Sequence, residues 1–183
     1  MMKPILSILL FLVFFQPIMA QDQEEILMPL DENTGLITYQ EVVNVAGNKD
    51  TLFNRCSTWL HTFYANPWEA TKVRDQATGL IKIQHQFRVY DTDENGNKID
   101  AGMIIYSLKI EFKQDRYRFT IDNLTLKAVS RYPLENWMDK TRPDYDEKNV
   151  SYLKQIDHYF RVELIPSLKE AMLPKEELKE AEW

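Results

Sequence analysis

Residues 80–90 of the chain have the sequence LIKIQHQFRVY, which shows a clear strand pattern. One set of alternate positions is apolar apart from a histidine: Ile81, Ile83, His85, Phe87 and Val89. The intervening set is polar: Lys82, Gln84, Gln86 and Arg88. Because successive side chains of a strand point to opposite faces, this alternation predicts an antiparallel strand with one buried and one solvated face.

Two stretches downstream repeat the pattern. Residues 103–112 place five large apolar side chains on one face: Ile104, Tyr106, Leu108, Ile110 and Phe112. Residues 116–129 continue it with Tyr117, Phe119 and Ile121. A polar turn over 91–102 and a tight reversal at Gln114-Asp115 join the three runs, which predicts a meander. Residues 36–45 and 71–74 add an upstream strand and a short extended piece.

Two amphipathic helices flank the meander. The first, over about 49–64, follows a candidate cap at Asn48 or Asp50 and ends at Asn66-Pro67. Its apolar side chains share one arc of about 140°: Leu52, Phe53, Cys56, Trp59, Leu60, Phe63 and Tyr64. The second helix starts near Val150 with the apolar stripe Leu153, Ile156, Phe160, Leu164, Leu168 and Ala171. Pro166 lies inside that stripe and predicts a kink or break.

The order of elements predicts the fold class. Strand, helix, three or four antiparallel strands and helix give an α+β protein, with helices on one face of an antiparallel sheet of about four to five strands. We expect a single domain over residues 31–173, between a leader at 21–30 and a frayed acidic tail at 174–183.

The first twenty residues have the layout of a secretory signal peptide. Lys3 precedes an apolar run from Ile5 to Phe15, and the small residue Ala20 stands just before a polar segment. This run is shorter than the roughly 18 residues of a membrane-spanning helix. We expect cleavage after Ala20 and export to the periplasm or the extracellular space; the alternative is an uncleaved N-terminal anchor.

Charge and cysteine content exclude some classes of function. The chain has 22 Lys and Arg residues against 28 Asp and Glu residues, a net charge of −6. Nucleic acid is an unsuitable partner because phosphate neutralisation supplies much of that affinity. Cys56 is the only cysteine in the sequence, so the chain forms no internal disulfide and depends on packing for its stability.

Several local strings resemble one known family. They are ITYQEVV at 37–43, a helix with Leu52, Arg55 and Trp59, the string GLI at 79–81, and a hairpin with YSLKIEFK at 106–113 and DRYRFT at 115–120. Over residues 28–125 the chain resembles a domain of unknown function with a TBP-like fold, found in exported proteins of Bacteroides-group bacteria. The resemblance implies a sheet topology and no catalytic residue, since a fold does not transfer a function.

The segment 131–149 is long and lacks clear periodicity, which is typical of functional loops. Its aromatic side chains Tyr132, Trp137 and Tyr145 are our candidate ligand-binding residues, because flat amphipathic rings suit sugar or protein recognition. Its acidic residues are Glu135, Asp139, Asp144 and Asp146. The alternative is that the aromatic residues hold the loop across the sheet and the acidic residues are solvated.

Other candidate sites have simpler structural explanations. Asp91–Gly96 matches the first half of a calcium loop, but Lys98 and Gly102 break the second half, so a hairpin turn at Asn95-Gly96 is favoured over a weak cation site. Cys56 lies on the apolar helix face, which favours a buried thiol over a reactive one. The three histidines do not cluster: His61 is on the solvent face of its helix, and His85 is in a strand.

These observations indicate an exported, non-enzymatic binding or interaction module of the bacterial envelope. We expect no metal, no cofactor, and a protein or oligosaccharide partner. The alternative is a hydrolase that acts on envelope or dietary polymers through acidic residues of segment 131–149. Two carboxylates converging in a deep aromatic cleft would favour the hydrolase, whereas an open or shallow sheet face would favour the module.

Overall fold

The computed structural model describes residues 28–128 and 130–174. The predicted signal peptide, most of the leader and the tail from residue 175 lie outside this range. The strands are β1 (Tyr39–Asn44), β2 (Thr71–Asp75), β3 (Leu80–Thr92), β4 (Lys98–Lys113), β5 (Arg116–Lys127) and β6 (Arg131–Pro133). The α-helices are α1 (Lys49–Phe63), α2 (Pro67–Ala70), α3 (Lys148–His158) and α4 (Ile165–Met172). A 3₁₀ turn (Leu134–Trp137) follows β6, and a π-helical segment (Tyr159–Leu164) joins α3 to α4.

The strands form one antiparallel sheet in the order β1-β5-β4-β3-β2, and β6 pairs with the end of β5 beyond β1. The predicted α+β class and the β3–β4–β5 meander are confirmed. The β3–β4 hairpin is longer than predicted, since only residues 93–97 remain outside the strands. The prediction of a polar turn over 91–102 was wrong in extent, because the polar residues at the tip of this hairpin still pair as strands.

A β-bulge keeps β5 in phase with the core. Ile105 pairs with Thr125 and Ser107 with Asp122, so Tyr106 faces two residues of β5. One of these two, Asn123, has φ +54°, a left-handed conformation that asparagine tolerates better than most residues. The bulge turns Leu124 toward the core, and its side chain is buried.

The apolar sheet face and the helices enclose a single hydrophobic core. Asn48 caps α1, because its Oδ1 accepts a hydrogen bond from the N–H of Thr51 at 2.8 Å. The predicted apolar arc of α1 is buried except for Phe63, which is half-buried against the same core. Phe53 of α1 meets Phe112 of β4 edge to face, with ring centroids 5.7 Å apart. Within the described residues, the helices therefore cover one face of the sheet and leave the other open.

The C-terminal helix continues through Pro166 without a break, but it departs from regular α-helical geometry just before it. Pro166 is the second residue of α4 and has no N–H to donate, and the residue before it, Ile165, donates its N–H to the carbonyl of Phe160 in the π-helical pattern. The preceding π-helical segment widens the helix and rotates the residues that follow it. This adjustment lets Phe160 and Leu164 join Leu153, Ile156 and Leu168 in the core, all of them buried. No helix in the described residues is both long and apolar enough to cross a membrane.

Candidate functional site

Segment 131–149 is more structured than its sequence indicates. Its first seven residues form β6 and the 3₁₀ turn. Trp137 is only 7% exposed, and its ring centroid lies 5.7 Å from that of Tyr152 on α3. A buried indole has no free face on which a ligand could stack, so Trp137 is a core residue in this conformation. Its position agrees with the alternative given above, in which the aromatic side chains hold this segment against the rest of the domain.

Tyr132 and Tyr145, the other two candidate ligand-binding residues, are both half-buried. The Tyr132 hydroxyl donates to Oδ2 of Asp144 at 2.9 Å, and Arg142 Nε donates to Oδ1 of the same carboxylate at 2.9 Å. These hydrogen bonds, first from Arg142 and then from Tyr132, hold the pKa of Asp144 below its ordinary value. Trp137 is buried, whereas Tyr132 and Tyr145 keep part of their surface in solvent, and a ligand-binding role for these residues stays a prediction.

The acidic residues of this segment accept hydrogen bonds from nearby protein groups. Glu135 Oε1 accepts from the N–H of Ile37 at 2.8 Å, which attaches the 3₁₀ turn to the chain just before β1. Asp139 accepts from the N–H and hydroxyl of Thr141, and Asp146 accepts from the N–H of Lys148. Glu135 therefore joins two distant segments of the chain, whereas Asp139 and Asp146 shape local turns.

Two other candidates have the structural roles that the sequence favours. Cys56 is fully buried, and burial raises the pKa of its thiol well above the ordinary range. Asp93 Oδ1 accepts from the N–H groups of Asn95 and Asn97, and Gly96 has φ +82°, so this segment is a hairpin turn with a left-handed glycine. The carboxylate of Asp91 faces away from that turn toward Lys148 Nζ at 3.0 Å.

A polar cluster lies under the helices at the centre of the sheet. The hydroxyl of Tyr106 lies 3.1 Å from that of Tyr64 and 3.3 Å from that of Tyr159. His85 contacts Tyr64 with ring centroids 4.7 Å apart, and its Nδ1 is buried without a hydrogen-bond partner among the described residues. Burial is the main cause that lowers the pKa of His85 below its ordinary 6.5, while Glu69 opposes the shift.

This cluster predicts a loss of stability in weak acid. Because folding lowers the pKa of His85, the unfolded chain binds this proton more readily than the folded chain does. The contribution of neutral His85 is complete above pH 6.5 and declines as the pH falls below that value. Urea unfolding at pH 7.5, 6.5 and 5.5 should show the decline, and His85→Gln should reduce it. His61→Gln changes an exposed histidine and serves as the control; equal pH dependence in all three proteins would contradict the prediction.

The open face of the sheet carries most of its charge as cations. By strand register it presents nine basic side chains, Lys82, Arg88, Lys98, Lys109, Lys113, Arg116, Arg118, Lys127 and Arg131. The acidic side chains on the same face are Asp75, Asp100, Glu111 and Asp122. Asp100 pairs with Arg88, and Glu111 accepts from Arg118 Nη2 at 2.6 Å and lies 3.3 Å from Lys109 Nζ. The face therefore has an excess of positive charge on a chain whose net charge is −6.

Neighbouring strands bring these cations into register. Lys82 lies opposite Lys109 across β3 and β4, and Lys113 lies opposite Arg116 across β4 and β5. A shallow depression beside the second pair is lined by Val42 of β1, which is 55% exposed, and by Glu111, Arg116 and Arg118. Like charges directly opposite each other destabilise a sheet, and a partner with negative charge would relieve this repulsion.

Sequence reasoning also missed α2. Asn66-Pro67 predicts the end of α1, but proline is equally favoured in the first turn of a new helix. The one-turn helix that follows presents Trp68, which is 75% exposed. The signal that could have revealed α2 is Pro67 followed directly by Trp68. Trp68 belongs neither to the apolar arc of α1 nor to an alternating strand pattern.

Comparisons with known proteins agree with this architecture. Residues 39–127, which span β1 to β5, match the family model described as "Domain of unknown function (DUF4468) with TBP-like fold". No curated protein sequence matches the chain.

Two solved structures share the fold. A TBP-like protein from Parabacteroides distasonis superposes with a TM-score of 0.62 at 17% identity, covering 79% of this chain and 96% of the other. A DUF4468 family protein from Bacteroides ovatus superposes with a TM-score of 0.61 at 11% identity, covering 81% of this chain and 93% of the other. At these identities the likeness establishes the fold alone.

Proposed function

The chain belongs to the DUF4468 family with a TBP-like fold, and we propose that it is an exported, non-enzymatic interaction module whose open sheet face binds an acidic protein partner. One observation carries this proposal: nine cations against four carboxylates on a solvated face of an acidic chain. Charge complementarity of this kind favours partners of opposite sign and accelerates their association.

The shape of the face supports a protein partner over a small substrate. The face spans five strands, and the depression beside Val42 is shallow, whereas small-molecule sites are usually concave and enclosed. Val42 and the half-buried Ile105 give it apolar area between the charges. A mixture of apolar area and arginine is common at protein interfaces.

The hydrolase alternative receives no specific support. Its candidate acids, Glu135, Asp139, Asp144 and Asp146, all accept hydrogen bonds that shape their own segment or attach it to β1. A general acid or base needs a carboxylate free to contact the reacting bond. An interaction module needs no such group.

A charge reversal tests the proposal. Lys82→Glu places a carboxylate opposite Lys109 on the open face, whereas Lys154→Glu makes the same change at an exposed position of α3, on the other side of the sheet. We expect fluorescein-labelled poly-L-glutamate to bind the wild-type protein with a salt-dependent affinity, measured by anisotropy at 50 and 200 mM NaCl. Lys82→Glu should lower the affinity by about fivefold or more, and Lys154→Glu by less than about twofold.

The same assay can overturn the proposal. Equal loss of affinity in the two variants would mean that net charge, not the open face, governs binding. Binding of heparin without binding of poly-L-glutamate would contradict a protein partner. An amide chemical-shift map with poly-L-glutamate should place the largest changes in β3, β4 and β5; changes confined to the helices would also contradict the proposal.

A further inference from the structure

Helix α2 is a single rigid turn that holds an indole in solvent. The N–H of Ala70 donates to the carbonyl of Asn66 at 3.1 Å, and the Thr71 hydroxyl donates to the carbonyl of Pro67 at 2.7 Å. Trp68 between them is 75% exposed, and its ring meets that of His61 on α1 edge to face, with centroids 5.7 Å apart. A large apolar side chain fixed in this way, outside the core, is typical of an interaction surface.

A groove runs beside this indole between α1 and β2. Its apolar lining includes Leu60, Pro67 and Val73, and its basic side chains are Lys72 and Arg74. None of the described residues that line it is acidic. Glu69 lies nearby in sequence, with Oε2 accepting from Asn66 Nδ2 at 3.4 Å. The groove therefore combines apolar area with positive charge.

The backbone of β2 borders this groove. β2 is the last strand of the sheet, so within the described residues its outer edge has no strand partner. The adjacent edge of β3 differs, because the Gln155 side chain accepts from the N–H of Tyr90 at 2.9 Å and donates to its carbonyl at 2.8 Å. Such closure protects a sheet edge against pairing, and β2 lacks it among these residues.

We propose that the β2 edge and the Trp68 groove bind an extended, acidic peptide segment of a partner protein. The segment adds a strand to β2, an apolar side chain packs on Trp68, and a carboxylate faces Lys72 and Arg74. Strand addition supplies main-chain hydrogen bonds, and the groove supplies specificity for alternate side chains. This site lies at the β2 edge of the sheet, next to the open face, and its proposal does not depend on the function proposed for that face.

The charges on β2 argue against a second copy of the chain as the occupant. Symmetric pairing of two β2 edges would bring Lys72 and Arg74 of one copy against the same residues of the other. Like charges in register destabilise paired strands. An acidic segment places the opposite charge at those positions. A neutral sugar is a poorer occupant for a different reason, because it has no main-chain groups to pair with the strand edge.

The test uses two blocked hexapeptides, Ac-VEFEVE-NH2 and its basic counterpart Ac-VKFKVK-NH2. We expect the acidic peptide to shift the backbone amide signals of residues 71–75 and to slow hydrogen exchange there. Trp68→Ala should weaken its binding by about fivefold or more, whereas Val162→Ala, which truncates another exposed apolar side chain, should leave it unchanged. Lys127→Glu, on the open face but two strands beyond β3, should bind the acidic peptide as the wild type does, which separates this site from the open face.

Three results would overturn the proposal. The first is peptide binding without any change at residues 71–75. The second is equal affinity of the wild-type protein and Trp68→Ala for the acidic peptide. The third is equal affinity for the acidic and basic peptides, which would remove the charge complementarity on which the choice of occupant rests.

Discussion

Truncation of Phe160 to alanine is expected to lower the free energy of unfolding by about 3–5 kcal/mol. Phe160 is fully buried in the π-helical segment. Its ring centroid lies 5.0 Å from that of Tyr39, 5.2 Å from that of Tyr106 and 5.7 Å from that of Phe87. The ring therefore joins the C-terminal helix to β1, β4 and β3, and its loss leaves a cavity and removes several aromatic pairs. Urea unfolding monitored by circular dichroism measures the change.

Val162→Ala is the matched control for this prediction. Val162 lies in the same π-helical segment but is 57% exposed, so its truncation should change the free energy of unfolding by about 0.5 kcal/mol or less. A loss below about 1 kcal/mol in Phe160→Ala would contradict the view that the C-terminal helix belongs to the central core. That result would also weaken the assignment of helices to one sheet face.

The core of the fold is predictable because its strands are buried on one face only. Such strands alternate apolar and polar residues, and the alternation at 80–90 and 103–112 identifies both the strands and their buried side chains. The apolar arc of α1 identifies its buried face in the same way, including Cys56. Pro166 identifies where the C-terminal helix departs from regular α-helical geometry, although the helix does not break there.

Features that depend on pairing between distant residues were harder to predict. β6 has only three residues, and it is a strand because it pairs with the end of β5. The bulge at Asn123 does have a local signal in the sequence. The buried apolar residues of β5 are odd-numbered up to Ile121, but the next one is Leu124, so one extra residue must lie between them. Polar residues at the tip of the β3–β4 hairpin gave no such signal, because a strand solvated on both faces has no apolar alternation.

The candidate sites show the same limit. Aromatic residues in an irregular segment suggested a binding loop, but the sequence does not show that Trp137 packs against Tyr152 on a helix. Conversely, Trp68 follows the predicted end of α1 and was not among the candidate binding residues. The cations of the open face were visible as the polar half of each strand, yet their juxtaposition depends on strand register, which the turns and bulges set.

The second large effect is expected from Gly79→Ala. Gly79 lies in the turn before β3 with φ +68°, a conformation that costs an L-residue about 1–2 kcal/mol. A Cβ at this position would also lie 2.9 Å from the carbonyl oxygen of Phe112, closer than such contacts allow. The same glycine carbonyl accepts a hydrogen bond from the N–H of Phe112 at 2.8 Å, so the two strands cannot separate without losing that bond.

Gly35→Ala separates the two causes. Gly35 has φ +70°, almost the same backbone conformation, but a Cβ there meets no described atom within 4 Å. Gly35→Ala should therefore show the conformational cost alone, about 1–2 kcal/mol. Gly79→Ala should lose about 1–3 kcal/mol more, because backbone on both sides of the contact must shift to relieve the overlap. Equal losses of unfolding free energy in the two variants would show that the β3–β4 edge adapts freely. The close approach of Gly79 to Phe112 would then have no part in fixing the register that aligns the open-face cations.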